Sequence, residues 1–341
     1  MHYPYSGTRR GFTLLEIMVV LVILTMVLGM GAGAFTKVGS GPSLALGHIK
    51  EVVRTARFHA VKERAPSAVL VDTEVETVVG LGWKNVGCWH FEDKDEQNAS
   101  TGFPKEAELA GAPLHARGVI GQCLDLSSGE SGSPSDAFIP SAPSLESVGG
   151  VAVEMYVFFN HFGARTLIAK GEAWRLAVDE EGRLSASVKL FRPNEPAGTV
   201  KILDSLGYEV PLERWIKVGF QFNGYAFYLT AEGILRNHEE LKERMRLVPH
   251  ERQPIRLGPR GPSGEPADMR LDELRLSAAV LGDETLFADT IDLDGPPFFT
   301  IHFDGQGHLD RNFHTKPQNV EFIHAGKRRY RVSIGLMGDV R

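Results

Sequence analysis

The stretch Glu213-Arg-Trp-Ile-Lys-Val-Gly-Phe-Gln-Phe-Asn-Gly224, continued by Tyr225-Ala-Phe-Tyr-Leu-Thr-Ala-Glu-Gly233, decides the fold of most of this chain. Ile216, Val218, Phe220 and Phe222 alternate with Lys217, Gly219 and Gln221, the two-residue period of a strand with one buried face. A second strand-like run follows at 225–229, past Asn223-Gly224. Working outward, alternation and short spacing predict further strands at 151–159, 166–170, 174–178, 183–191 and 269–277. Many short strands divided by turn signals argue for an all-β sandwich.

The whole chain has 341 residues, enough for two domains of ~150 residues each. Its formal net charge of −6 argues against a dedicated nucleic-acid binder, which carries a basic excess. At 43% hydrophobic and 23% charged residues the composition is that of a globular protein, which argues against long-range disorder. Thirty-seven Gly and 19 Pro suit a turn-rich, strand-rich body. Cys88 and Cys123, the two cysteines, are too few for a disulfide scaffold or a zinc-cluster fold.

One stretch, residues 12–35, is long and apolar, with Glu16 its single charge. At ~1.5 Å per residue such a run is long enough for the ~30 Å hydrocarbon core, so it predicts one membrane span. Arg9 and Arg10 precede it, which keeps the start cytoplasmic and exports the rest. A carboxylate within an apolar span costs ~2.5–3.5 kcal/mol at mid-depth and less near the edge, where Glu16 lies. It either snorkels to the headgroups or pairs with a positive group of a partner subunit. Beyond Gly39-Ser-Gly-Pro42, the apolar residues Leu46, Ile49, Val53, Ala56 and Ala60 recur at helical spacing, which predicts an amphipathic helix over 44–62.

Arg10-Gly-Phe-Thr-Leu-Leu-Glu-Ile17 resembles the class III signal of type IV pilins and type II secretion pseudopilins. The resemblance implies cleavage between Gly11 and Phe12 by a prepilin peptidase, N-methylation of Phe12, and a role for Glu16, fifth in the mature chain, in placing the subunit in a fibre. The new α-amino group and the nearby carboxylate would be natural partners. A rival reading takes Thr8-Arg-Arg-Gly-Phe-Thr-Leu14 as a twin-arginine export signal with a cleavage site at Ala32-Gly-Ala34. Glu16 and the length of the apolar run stand against it.

Strands are also expected at 68–72, 77–81, 298–303, 319–323 and 330–334. Phe303, Gly307, Arg328-Arg-Tyr-Arg-Val-Ser-Ile334 and Gly338-Asp-Val340 resemble the C-terminal sheet of H-type minor pseudopilins and related minor pilins, with Asp304-Gly305 departing from the family's proline. Between the two ends, Gly87-Cys-Trp-His-Phe91, Gly118-Val-Ile-Gly-Gln-Cys-Leu-Asp125, the 213–233 stretch and Arg270-Leu-Asp-Glu-Leu-Arg-Leu276 resemble laminin-G-like, concanavalin A-like jelly-roll modules. The fold class these resemblances imply is mainly β with one long N-terminal helix: a pilin-like α+β unit interrupted by a β-sandwich. The expected division is a leader at 1–11, a transmembrane helix at 12–35, a first pilin-like part at 36–85, the jelly-roll insert at 86–280 and a second pilin-like part at 281–341. A module whose termini lie together can enter a host loop without disturbing it.

Export would place Cys88 and Cys123 in an oxidising compartment, where a bridge between them is the favoured expectation and two buried free thiols the alternative. No catalytic pair is expected. Glu154 stands alone in its strand, and Asp272 and Glu273 are adjacent, so they face opposite sides. No metal or cofactor is expected: the acidic run Glu92-Asp-Lys-Asp-Glu96 reads as a solvated loop, with the rim calcium of laminin-G-like modules as the alternative, 289–295 lacks calcium-loop ligands, and His302, His308 and His314 read as scattered histidines. The charged stretch 237–246 reads as an exposed loop or helical turn.

The function expected is therefore a minor pseudopilin or pilin-like subunit, not an enzyme. It would sit in a bacterial inner membrane by one span with its body in the periplasm or at a fibre tip. Its partners would be prepilin peptidase, other pilins or pseudopilins, the assembly platform, and a glycan or secreted cargo. The alternative is an exported or anchored carbohydrate-binding or adhesive sandwich whose N-terminus is only a signal.

Overall fold

In the computed structural model the described residues are 41–93, 99–103, 107–110, 114–127, 136–192, 195–241, 243–249, 252–259, 267–287 and 290–341. They form mostly antiparallel β-structure with one long helix, Pro42–Glu63. Pro42 opens the helix at its first position, where a missing N–H costs nothing, and Arg64 closes it in the left-handed region at φ 49°. Its apolar stripe, Ala45, Ile49, Val52, Val53, Ala56 and Ala60, is buried.

The sandwich has two layers. In one, Ile234–Glu240, Ala226–Ala231, Trp215–Phe222, Val151–Phe159 and Met269–Leu286 pair in that order, all antiparallel. In the other, Glu195–Glu209, Arg183–Arg192, Trp174–Val178, Arg165–Lys170, Ile255–Leu257 and Asp136–Ile139 follow one another. The inward residues of the two layers make one core, in which Trp174 meets Phe220 at 5.8 Å and Phe220 meets Phe227 edge-on at 5.9 Å.

A second, separate core lies under the helix. Ile49, Val53 and Ala56 pack there with Val69, Val71, Val78, Ile301 and Phe303, and with Phe322, Val332 and Ile334 of the sheet formed by Ile291–Asp294, Gln318–His324 and Arg328–Ile334. Strand Ser67–Asp72 lies between Thr77–Asp93 and Phe298–Phe303. Its opposite face is buried too: Ala68, Leu70, Val79 and Leu81 pack with Phe298 and Tyr225, the latter two rings stacked at 6.1 Å. Burial on both faces explains why Ala68-Val-Leu-Val71 is a continuous apolar run with no alternation.

The boundaries expected at 85/86 and 280/281 fall inside continuous strands. Thr77–Asp93 and Met269–Leu286 run side by side from the helix-backed sheet into the sandwich, with Thr77 opposite Leu286 and Trp89 opposite Leu274. The stretch 237–246 is strand at each end and not a helical turn. Ile234–Glu240 is an edge strand, and Arg246–Leu247 pairs with the 183–192 strand. Charged side chains on an edge blunt unwanted pairing, and they hid this strand's alternation.

Candidate functional site

The site lies where the outer face of the sandwich meets the C-terminal segment. On the outer face of strand Trp215–Phe222, Gly219 is opposite both Glu154 and Thr230, and Gln221 is opposite Tyr228. Phe220 and Phe222 point the other way, into the core. Gly219 therefore places no side chain between Glu154 and Thr230, and an open pocket lies there. Its other wall is His302 together with Asp310, Asn312 and Phe313.

That wall is preorganised. The Asp310 N–H donates to the His302 carbonyl at 2.9 Å, and the Asp310 carboxylate accepts the Asn312 N–H at 2.9 Å. The Asp310 carbonyl accepts the N–H groups of Phe313 and His314. His302 donates its backbone N–H to His314 Nε2 at 2.8 Å, so the His314 ring is neutral with its proton on Nδ1. The His302 ring stacks on Phe313 at 3.9 Å and receives the edge of Tyr228 at 5.4 Å. Burial, reinforced by His314 and His238, pushes the His302 pKa down to about 3. Burial also lowers His314, against a smaller opposing effect of Asp310. Tyr228 is only 5% exposed, and its hydroxyl has no hydrogen-bond partner. The Asn223 side chain lies toward that oxygen without closing a bond, and burial drives the phenol pKa far up.

The residues singled out in the sequence fall into three groups. Gly11, Phe12 and Glu16 lie outside the described residues. Cys88 and Cys123 are both free thiols instead of the expected bridge, Cys123 buried and Cys88 only half-buried. Their strands occupy different stretches of the Met269–Leu286 ladder. Cys88 is opposite Arg275, whereas Cys123 neighbours Leu124, which is opposite Leu271. Burial pushes the Cys123 thiol up to about 11, and Cys88 is raised by burial too. Cys88 Sγ lies 3.6 Å from His90 Nε2, and His90 Nδ1 lies 2.7 Å from Glu273. That is the order of a nucleophile, base and orienting acid, but a raised thiol pKa opposes thiolate formation there.

Among the acids, Glu154 lines the pocket and is paired with Lys217 at 3.0 Å. Asp272 is fully buried and accepts the N–H groups of Val119, Ile120 and Glu273, while Glu273 turns out to His90. Gly118 is required beside it, since a Cβ there would come within 2.5 Å of the Asp272 carboxylate. Burial raises Asp272 against its three N–H partners. Two of the three histidines come together. His302 and His314 are buried side by side, and His308 stands apart beside Asp304 at 3.8 Å. Among the described residues no group of three or more His, Cys, Asp or Glu could hold a metal, and no helix is long and apolar enough to cross a membrane.

The chain thus combines a β-sandwich, a helix-backed sheet and an apolar N-terminal run. A profile of the prokaryotic N-terminal methylation motif matches residues 7–32. That motif implies processing by a prepilin peptidase, assembly with pilins, and anchoring in a membrane through the N-terminus. No curated protein sequence matches the chain. Similar solved structures include the binding domain of Paraclostridial Mosquitocidal Protein 1, at 11% identity and a TM-score of 0.45 over 57% of this chain and 49% of that one. Domain 4 of a GH43 extracellular arabinanase from Geobacillus stearothermophilus, solved with arabinotriose, is 15% identical with a TM-score of 0.42 over 59% of this chain and 95% of that one. The binding domain of botulinum neurotoxin DC in complex with SialylT is 11% identical with a TM-score of 0.38, over 56% and 47%. The chain spans about half the length of the two toxin binding domains.

Proposed function

We propose that this chain is a minor pseudopilin or pilin-like subunit that carries a lectin-like binding module into a type II secretion pseudopilus or a type IV pilus-like fibre. The observation that carries the reading is the methylation motif over residues 7–32. In this reading prepilin peptidase cuts between Gly11 and Phe12, Phe12 is methylated, and Glu16 pairs with a positive group of a neighbouring subunit. The body lies in the periplasm of a bacterial inner membrane, held by one span. Two further features support it. The helix-backed core draws on residues from both sides of the sandwich, as an inserted module requires. The insert's strands continue those of its host, so the module is displayed rigidly.

The module acts by binding and not by catalysis. A glycosidase needs two carboxyl groups aimed at one bond. Here Glu154 is neutralised by Lys217, and Asp272 is spent on three backbone N–H groups. The rival reading, an exported sandwich with a plain signal, makes a different mature terminus. Mass spectrometry of the membrane-extracted protein separates them: N-methylated Phe12 is expected, and a start at Phe35 would refute the fibre reading. A Gly11→Leu variant should remain uncut on an immunoblot.

A further inference from the structure

We infer that the pocket between the sandwich and the C-terminal segment is a binding site for a neutral, hydroxyl-rich ligand, such as the terminal residue of a glycan. The inference rests on the proposed binding role of the module, but it places the site outside the module alone. Glu154, Gln221 and Tyr228 come from the sandwich, and Asp310, Asn312 and Phe313 come from the segment beyond it.

The chemistry of the wall selects the ligand. Two carboxylates, Glu154 and Asp310, accept hydrogen bonds, and two side-chain amides, Gln221 and Asn312, both donate and accept. Hydroxyl groups match that mixture because each can donate and accept. No side chain of Arg or Lys lines the pocket, so an anion would find no partner. His302, held neutral by burial, supplies no positive charge either. Phe313, half-buried and fixed from behind by the His302 ring, offers an apolar surface for C–H groups. The Tyr228 side chain also lines the pocket, its hydroxyl buried and turned toward Asn223.

The test is saturation-transfer NMR on the full-length chain in detergent. The probes are methyl glycosides of glucose, galactose, mannose, N-acetylglucosamine and arabinofuranose, with spermidine and inorganic phosphate as charged controls. At about 10 mM even a site with a Kd of ~1 mM is mostly filled. At least one glycoside should bind, and both charged controls should not. Asn312→Ala, at an exposed position, and Phe313→Ala should each weaken it about tenfold. Binding by no glycoside, binding of a charged control instead, or glycoside binding indifferent to Asn312→Ala and Phe313→Ala would each overturn the inference. The mature N-terminus is read separately, so failure here leaves the fibre reading to its own test.

Discussion

The sandwich and the helix-backed sheet bury their apolar side chains in two cores, drawn from the chain in opposite ways. The sandwich core uses residues 86–276, one continuous stretch. The smaller core takes residues 45–78 from before it and 287–334 from after it. Such a split is affordable in entropy because closure cost rises only with the logarithm of loop length, and the insert's two ends lie in adjacent strands. The strands Thr77–Asp93 and Met269–Leu286 belong to both regions. An insertion joined by loops would leave two independent units. One joined by a shared ladder ties their stabilities together.

Two substitutions test that coupling with the largest expected effect. Phe220 is fully buried in the sandwich core and Phe322 in the smaller one, so Phe220→Ala and Phe322→Ala should each cost about 3–5 kcal/mol. With the ladder intact, urea unfolding followed by tryptophan fluorescence and by circular dichroism should stay a single transition that either variant moves to lower urea. If Phe322→Ala instead shifts one of two separate transitions and spares the sandwich, the regions are independent and the comparison breaks.

The seam between the regions is the more pH-sensitive part. His302 has a folded pKa of about 3 against an ordinary 6.5, because burial refuses the proton. The unfolded chain takes that proton up as the pH falls below 6.5. The contribution is therefore complete above pH 6.5 and is lost as the pH drops toward 3. At ~1.36 kcal/mol per unit, roughly 5 kcal/mol is at stake. His314, also lowered, acts in the same sense. Asp272, raised by burial, acts in the opposite one, since its folded form holds a proton that the unfolded form releases as pH rises. Urea midpoints measured from pH 7 to pH 4 should fall steeply for the natural protein and more gently for His302→Phe, which keeps the stacked ring. Parallel slopes would show that His302 is not the titrating group.

The two regions also differ in how much of them the sequence revealed. Strands 151–159, 174–178, 215–222 and 298–303 match the expectation end to end, because each has one clearly buried face or an unbroken apolar run. The helix was legible from its stripe and is longer by a few residues, as Pro42 starts it. Glu195–Glu209 was missed for a physical reason: Ile202 and Leu206 face solvent while Ser205 is buried, so its apolar pattern points outward. The site was illegible because it is assembled across distance. His302 and His314 could be seen as a recurring pair, but nothing local placed Tyr228 against them. Gly219, a glycine within a strong strand, was the one available signal of a hollow.

The smallest effect sharpens the reading of that hollow. Tyr208 Oη donates to Glu232 at 3.2 Å in an exposed hydrogen bond, while the buried Tyr228 Oη has no partner within hydrogen-bond geometry. An unpaired buried hydroxyl costs about 1–3 kcal/mol of desolvation, so its removal should stabilise the free protein. Tyr228→Phe keeps the ring that meets His302 and Phe313 at 5.4 and 5.5 Å, and nothing else in the cluster need move. The expected gain is about 1 kcal/mol, a rise of ~2–4 °C in melting temperature for a body of this size. Tyr208→Phe loses a hydrogen bond at an exposed position and should be neutral or slightly destabilising. Differential scanning calorimetry of the two variants side by side, without ligand, decides the point. A loss of stability in Tyr228→Phe would mean that its hydroxyl is satisfied in solution, with the Asn223 side chain as the nearest partner.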